Sequence, residues 1–376
     1  MAGEQPAPDG GGEIAENLHR WKGKRAIMII DYKCPNCAAN MVFDSDTGKL
    51  HCGSCDYEEE IEGYQKTYES FDTKFHTASY GDEEARQYLC KSCGAVLVTD
   101  NHTAATICSF CGSPMILGER ISGDYAPTKV IPFSISKEEA EKAFKKWCRK
   151  LKFSPKEFTQ GNKIKEVVGM YVPFWLYDLR GQGEAQFHCT RTHIYDSGDE
   201  TITETRHFDV YRQVDLTLKD IPADASEKMA DTLMDALEPF DYSGIREFNT
   251  PYLAGFLSEK YNYTDKEMLP RVTKRAEQYM DEYVASTIHG YEAVHCKGRD
   301  YHIGQLSSEY ALFPVWMVYY NYDEAEYTFA MNGQTGKLAG DPPRSIPKIA
   351  TSVGLATVLF FLVFRIITVL LGGPLL

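Results

Sequence analysis

Eight of the eleven cysteines in this chain fall into two copies of one spacing. Cys34-Pro-Asn-Cys37 is followed, after fourteen residues, by Cys52-Gly-Ser-Cys55. Cys90-Lys-Ser-Cys93 is followed, again after fourteen, by Cys108-Ser-Phe-Cys111. C-x2-C-x14-C-x2-C lies close to the lower end of the zinc-ribbon spacing. Two residues between cysteines let both thiolates of a pair turn onto one ion, and the longer arm brings up the second pair. Soft thiolates in a closed tetrahedral set suit a structural Zn²⁺. Such a site keeps no open position for substrate, so the expected role of Cys34, Cys37, Cys52, Cys55, Cys90, Cys93, Cys108 and Cys111 is to hold two small folds together.

Two other readings of the cysteines are weaker. Disulfides require an oxidising compartment, and Met1 to Glu13 is acidic and rich in Gly and Pro, with no apolar signal region. A thioredoxin-like redox pair needs one CxxC beside a βαβ pattern, not four in matched twos. Cys148, Cys189 and Cys296 are left over and read as packed thiols.

Ile349 to Leu371 is a run of twenty-three residues with one charge, Arg365. As a helix it reaches roughly 34 Å, enough for the ~30 Å hydrocarbon layer. A soluble core helix rarely stays apolar on every face for this long. A single transmembrane helix is expected, tail-anchored, since only Gly372 to Leu376 follow. Lys337, Arg344 and Lys348 precede it, and the positive-inside tendency puts the main body in the cytoplasm. Arg365 is expensive in lipid and reads as snorkelling toward the far interface or, as the alternative, as meeting a partner's carboxylate or a second helix within the membrane.

The net charge is −14 with histidines neutral. Filling both ribbons, each as four thiolates around a dication, brings it to about −18. Around the first ribbon Asp44, Asp46, Asp56, Glu58, Glu59, Glu60 and Glu62 outnumber Lys33 and Lys49. A phosphate-binding face needs clustered Lys and Arg. The basic patch that this reading singles out is His19-Arg-Trp-Lys-Gly-Lys-Arg25, ahead of the first ribbon. Nucleic acid is therefore disfavoured as a partner.

The roughly 220 residues between ribbons and span suffice for a large core and read as mixed α+β. Val130-Ile-Pro-Phe leads into Ser136-Lys-Glu-Glu139, a capping box, and Ala140, Ala143, Phe144, Trp147 and Leu151 then recur at helical spacing. A second helix is predicted over Glu227–Leu237, and a third from about Pro270 to Gly290. Strands are predicted at Val167–Tyr177, Ala185–Ile194, Thr201–Leu218 and Tyr310–Tyr320. Tyr327–Met331, Asn332-Gly333 and a return through Lys337-Leu338 read as a hairpin. Tyr171-Val-Pro-Phe-Trp175-Leu-Tyr and Leu312-Phe-Pro-Val-Trp316-Met-Val form a faint internal repeat. Proline within a strand predicts an edge or a bulge, so each copy reads as a kinked strand with a buried tryptophan.

Catalytic constellations are scarce. There is no G-x4-G-K-[ST] loop, and Gly181-Gln-Gly183 lacks the third glycine of a dinucleotide fingerprint. Alternation along a strand puts His188 and Cys189 on opposite faces, where they cannot grip one ion. No Gly-x-Ser-x-Gly elbow or HExxH helix occurs. The reading is of a protein that is not an enzyme.

The ribbons, Val130-Ile-Pro-Phe, Tyr171-Val-Pro-Phe-Trp-Leu-Tyr-Asp, Leu237-Glu-Pro-Phe-Asp, Tyr252-Leu-Ala-Gly-Phe-Leu, Phe313-Pro-Val-Trp and Tyr327-Thr-Phe-Ala-Met-Asn-Gly-Gln-Thr-Gly-Lys together resemble the bacterial TFIIB-type zinc-ribbon membrane proteins. The resemblance runs from about Tyr32 to Asp341. Members often carry a primosomal or replication-helicase-like label, which this chain's lack of a nucleotide loop does not support. The resemblance implies partners among SPFH-domain and phage-shock PspA-like proteins, or a second zinc-ribbon family member. It also implies a scaffold that recruits them to the membrane, in envelope stress. The competing expectation is a nucleic-acid-binding accessory factor in replication or transcription. The expected organisation is an acidic tail and basic patch over 1–25, ribbon 1 over 26–64, and a linker with ribbon 2 over 65–122. A central α+β domain with antiparallel strands over 123–342 and the span over 349–371 complete it.

Overall fold

A computed structural model of the chain describes residues 29–61, 86–100, 102–121, 126–159, 164–197 and 200–370. The fold is α+β, with two four-cysteine groups near the N-terminus, antiparallel sheets and one apolar helix at the C-terminal end. The basic patch at His19–Arg25 lies outside the described residues. The first cysteine group is carried by β1 (Ile29–Ile30), β2 (Val42–Asp44), β3 (Lys49–His51) and β4 (Glu58–Glu59). The second is carried by β5 (Arg86–Leu89), β6 (Val96–Thr99), β7 (Thr103–Ile107) and β8 (Pro114–Leu117).

The two groups are built into the body. β1 pairs with β8, β8 with β7, and β7 with β13 (Leu257–Glu259), which runs beside the central strand of the main sheet. That strand, β10, is continuous from Ile164 to Ser197. It lies between β14 (Ala293–Tyr322) along one side and β13, then β11 (Glu200–Asp224), along the other. Two separate predicted strands are thus one, and their neighbours are longer than predicted. Leu179-Arg-Gly-Gln-Gly183 looks like a break because glycine is a poor strand former. A Cβ at Gly181 would meet Met280 Sδ at 2.3 Å, so this glycine marks a close helix approach and not a turn. Register shifts after Tyr177 and Gln186 bend the strand without ending it.

The prolines of the repeat sit in the two most central strands, against the edge expectation. The two copies pair with each other: Tyr171 lies opposite Pro314 and Pro173 opposite Leu312. In an extended strand the nitrogen and carbonyl of one residue face the same neighbour. The Pro173 carbonyl accepts the Ala225 amide at 2.9 Å, so its nitrogen faces the gap where β13 gives way to β11. The Pro314 carbonyl accepts the Gly333 amide at 2.9 Å. Its nitrogen faces the gap where β9 (Lys129–Val130) gives way to β15 (Ala325–Asn332). Neither proline removes a ladder bond that another strand needs. Trp316 is buried and donates to the Ile135 carbonyl at 3.0 Å; Trp175 is half-buried and donates to the Tyr263 carbonyl at 2.9 Å.

Alternation assigns the faces. Met170, Val172, Phe174 and Leu176 pack with Met234 and Leu237 of the helix α3 (Asp231–Leu237). Tyr171 and Trp316 join Phe133 and Phe144 on the other face, under the helix α1 (Lys137–Lys150). The Ser136 amide donates to the Glu139 carboxylate at 3.2 Å, which supplies the predicted cap. A short α2 (Lys156–Thr159) follows. The α3 helix starts four residues later than predicted: the Ser226 hydroxyl donates to Glu259 at 3.2 Å, the Glu227 amide donates to Asn262 Oδ1 at 3.1 Å, and the chain bends over 227–229 before the helix begins. The third predicted helix, α4 (Asp265–Ser286), starts earlier than predicted, at a Thr264–Glu267 capping box, and carries Pro270 in its second turn. Its Met280, Val284 and the following Ile288 cover Ala185, Phe187, Cys189 and Val214. Burying a Phe or Leu this way contributes about 1.5–3 kcal/mol. The three long strands therefore run out from the core as an arm with α4 on one face.

β12 (Arg246–Glu247) pairs with β9, and β16 (Leu338–Ala339) pairs with β15 to complete the predicted hairpin, though its loop extends to Lys337. The last helix, α5, spans Ile346–Leu370. Its segment Ile346–Ile367 is long and apolar enough to cross a membrane and is 0 % buried in the chain, unlike a soluble core helix.

Candidate metal centres

The same backbone device appears four times. In each C-x2-C pair the amide just past the second cysteine donates to the carbonyl of the first: Ala38 to Cys34 at 2.9 Å, Asp56 to Cys52 at 2.9 Å, Gly94 to Cys90 at 2.8 Å and Gly112 to Cys108 at 2.8 Å. Closing that turn requires positive φ at the donor, which is 59° and 57° in the first group, 75° and 71° in the second. The second group uses glycine there. The first uses Ala38 and Asp56, which carry the Cβ strain of the left-handed region. The amides of Ala39, Tyr57, Ala95 and Ser113 point at the sulfurs of Cys37, Cys55, Cys93 and Cys111.

These turns bring together Cys34, Cys37, Cys52 and Cys55 in one set and Cys90, Cys93, Cys108 and Cys111 in another, with all sulfurs of a set within 4.8 Å. The first cysteine of each pair is buried and the second exposed. A tetrahedron with ~2.3 Å metal–sulfur bonds has sulfurs about 3.8 Å apart. The separations are 3.5, 3.5 and 3.7 Å in the first set and 3.7 and 3.8 Å in the second. The residues therefore fit a tetrahedral metal ion in each set.

The electrostatics of the bare thiols point the same way. The Ser54 amide, above all, draws Cys52 down to about 6. Against the Tyr57 amide, the Cys34 and Cys37 thiols push Cys55 up to about 12. In the second set the Ser113 hydroxyl and amide draw Cys111 down to about 6. There Cys111 and burial, outweighing the Ala95 amide, push Cys93 up to about 12. Four sulfurs this close ionise together only around a cation, and a bound dication releases their protons.

The two sets share a polar bridge that the spacing did not reveal. Asn40 donates to Ser113 Oγ at 2.7 Å, and Ser113 Oγ lies 3.1 Å from Cys111 Sγ. Lys33, next to Cys34, donates to Asn40 and, at 3.1 Å, to Ser92 between Cys90 and Cys93. The residue types are ordinary for loops, so only the fold shows that they meet. Of the remaining cysteines, Cys148 and Cys189 are buried as expected, whereas Cys296 is exposed. It lies opposite Phe187 on β14, a strand whose outer part is largely solvent-facing. His188 and Cys189 do point to opposite faces: Cys189 is buried, and His188 Nε2 lies 3.0 Å from His207 Nδ1 on the open face.

The fold and its sites define a class: an α+β body fused to two metal-competent four-cysteine ribbons and carrying one helix able to span a membrane. The chain is 48 % identical over 346 residues to the uncharacterised protein YdjG of Bacillus subtilis (strain 168), covering 92 % of this chain and 99 % of that protein. It belongs to the same family as YdjG. No family model and no solved structure matches it.

Proposed function

We propose that the chain is a membrane-anchored scaffold of the TFIIB-type zinc-ribbon kind, with Zn²⁺ in both four-cysteine sets and its body on the cytoplasmic side. It recruits SPFH-domain or PspA-like proteins, or a second ribbon protein, to the membrane during envelope stress. The observation that carries this reading is the continuity of the fold. Closed thiolate sets are joined strand by strand to a body that hangs from an apolar helix, whose membrane-length segment none of the described residues buries. Metal there acts as a fastener for a presenting surface, since a closed four-sulfur site leaves no position for substrate. Lys337 and Arg344 ahead of the helix, and Lys348 in its first turn, support the cytoplasmic side.

A pull-down from detergent tests it, comparing the full-length chain with one ending at Pro347 and identifying proteins and nucleic acid in the same eluates. SPFH-type or PspA-like proteins that depend on the helix are expected. Nucleic acid that survives loss of the helix and falls away with salt would replace the scaffold by a nucleic-acid accessory factor.

A further inference from the structure

The stretch from Lys142 to Lys156 contains seven Lys or Arg and no Asp or Glu, which makes it a second and longer basic stretch than His19–Arg25. Along the sequence its cations are diluted by core residues such as Phe144, Trp147 and Cys148. In the fold it is placed beside the start of α5. The Ser345 amide donates to the Phe153 carbonyl at 2.6 Å, and Lys348 Nζ donates to the Ser154 carbonyl at 2.6 Å. The loop between α1 and α2 is therefore fastened to the first turn of the apolar helix. Arg149, Lys150, Lys152 and Lys156 are exposed there, and none forms an ion pair with another described residue. Arg344 is exposed just before the helix, and Glu157 is the one acid on α2. Phe153 stands among these cations with 48 % of its surface open.

We infer that this loop docks on the anionic headgroups of the membrane that α5 crosses, with its cations on the phosphates and Phe153 in the interface. The inference deepens the membrane reading and rests on it. Net charge argues the opposite, since a body at −14 is repelled by an anionic leaflet. Distance decides between the two effects. Fields are screened within about 8 Å at physiological salt, so Arg149, Lys150, Lys152, Lys156 and Arg344 beside the helix outweigh Glu157 and Asp341 near them and the acids farther off. Each Lys or Arg held near an anionic surface strengthens attachment about fivefold, and an apolar ring adds to it. The helix holds the loop at the surface already, so docking costs little translational freedom. Its effect is to fix how the body leans on the bilayer, and hence which way the ribbons face.

The test is hydrogen exchange of the full-length protein in nanodiscs of phosphatidylcholine alone and of phosphatidylcholine mixed with phosphatidylglycerol. Amides over 149–158 are expected to exchange about tenfold more slowly in the anionic discs. That protection should vanish with added salt. It should also vanish in a variant carrying Arg149→Gln, Lys150→Gln, Lys152→Gln and Lys156→Gln, whose ribbons and arm exchange as before. Equal exchange of the loop in both discs, with the amides of 346–370 protected in both, would overturn the inference and leave the membrane reading standing. Loss of protection over 346–370 itself would remove both.

Discussion

Gly181 and Gly183 offer a sharp test of how the arm is built, because their surroundings differ in kind. Both lie on the face of β10 that meets α4, in extended backbone that any residue adopts, so only space separates them from alanine. A Cβ on Gly181 meets the flexible end of Met280, at 2.3 Å from sulfur and 3.0 Å from the methyl. A Cβ on Gly183 meets backbone: Asp300 O at 2.0 Å and Tyr301 Cα at 2.9 Å. Met280 can change rotamer, whereas Asp300 O moves only if β14 moves, by about 1 Å or more. Such overpacking costs about 1–3 kcal/mol, and two loosened ladder bonds add roughly 1 kcal/mol each. Gly183→Ala should therefore cost about 3–5 kcal/mol, and Gly181→Ala about 1, part of which is offset by the lower entropy of its unfolded chain. For a body of this size that is a fall in Tm of about 10 °C against one of about 2 °C. Melting in detergent followed by tryptophan fluorescence measures it, with hydrogen exchange over 179–190 to catch local opening of the arm. Equal shifts, or a larger one for Gly181→Ala, would refute the packing argument.

Other outcomes follow from the metal sets and the buried charges. Two equivalents of zinc per chain are expected by elemental analysis, falling to one in Cys52→Ser or Cys108→Ser and to none in the double variant. Ala38→Gly relieves a φ of 59° and should stabilise the metal-loaded protein by about 0.5–1 kcal/mol in thermal melts, whereas Gly94→Ala should destabilise it by a similar amount. Asp224 is 1 % exposed, and burial pushes its carboxyl up to about 6 although Arg271 lies 2.9 Å away. A carboxyl raised in the folded state holds its proton more tightly there, so its contribution is present at low pH and lost as pH rises from about 4 to about 6. Wild type should lose up to about 3 kcal/mol relative to Asp224→Asn across that window, read as the pH dependence of the difference in Tm. A constant difference would show that the carboxyl is ionised throughout.

Some of this was legible in the chain. The cysteine spacing fixes which sulfurs meet, because each pair is closed by a local turn needing only the next residue. The apolar run from Ile349 and the Ser136 cap are likewise local signals. The unbroken length of β10 was not, since Gly181 and Gly183 read as punctuation until Met280 and Asp300 show what occupies the missing side chains. The prolines misled for the same reason. An edge and a handover between two neighbours leave the same nitrogen without a partner, and only the pairing of β9, β11, β13 and β15 separates them. Lys33, Asn40 and Ser113 meet across two ribbons that one dimension keeps apart. The basic loop at Arg149–Lys156 acquires meaning from Ser345 and Lys348, nearly two hundred residues later.

The arm also carries a rule about size. Its three strands share one face under α4, from Tyr177 through Cys189 on β10, and every second residue belongs to that face. Adding one residue to β10 would turn Ala185, Phe187 and Cys189 outward and their polar neighbours inward unless a bulge absorbs it, as happens at Leu306 and Lys297 of β14. Without a further bulge the arm changes length by pairs of residues inserted in all three strands together, with nearly four turns of α4 added for every three such pairs. Its length is quantised in steps of about 7 Å. Whatever distance separates the body from what its tip touches, a single insertion can tune it only where a bulge absorbs the odd residue.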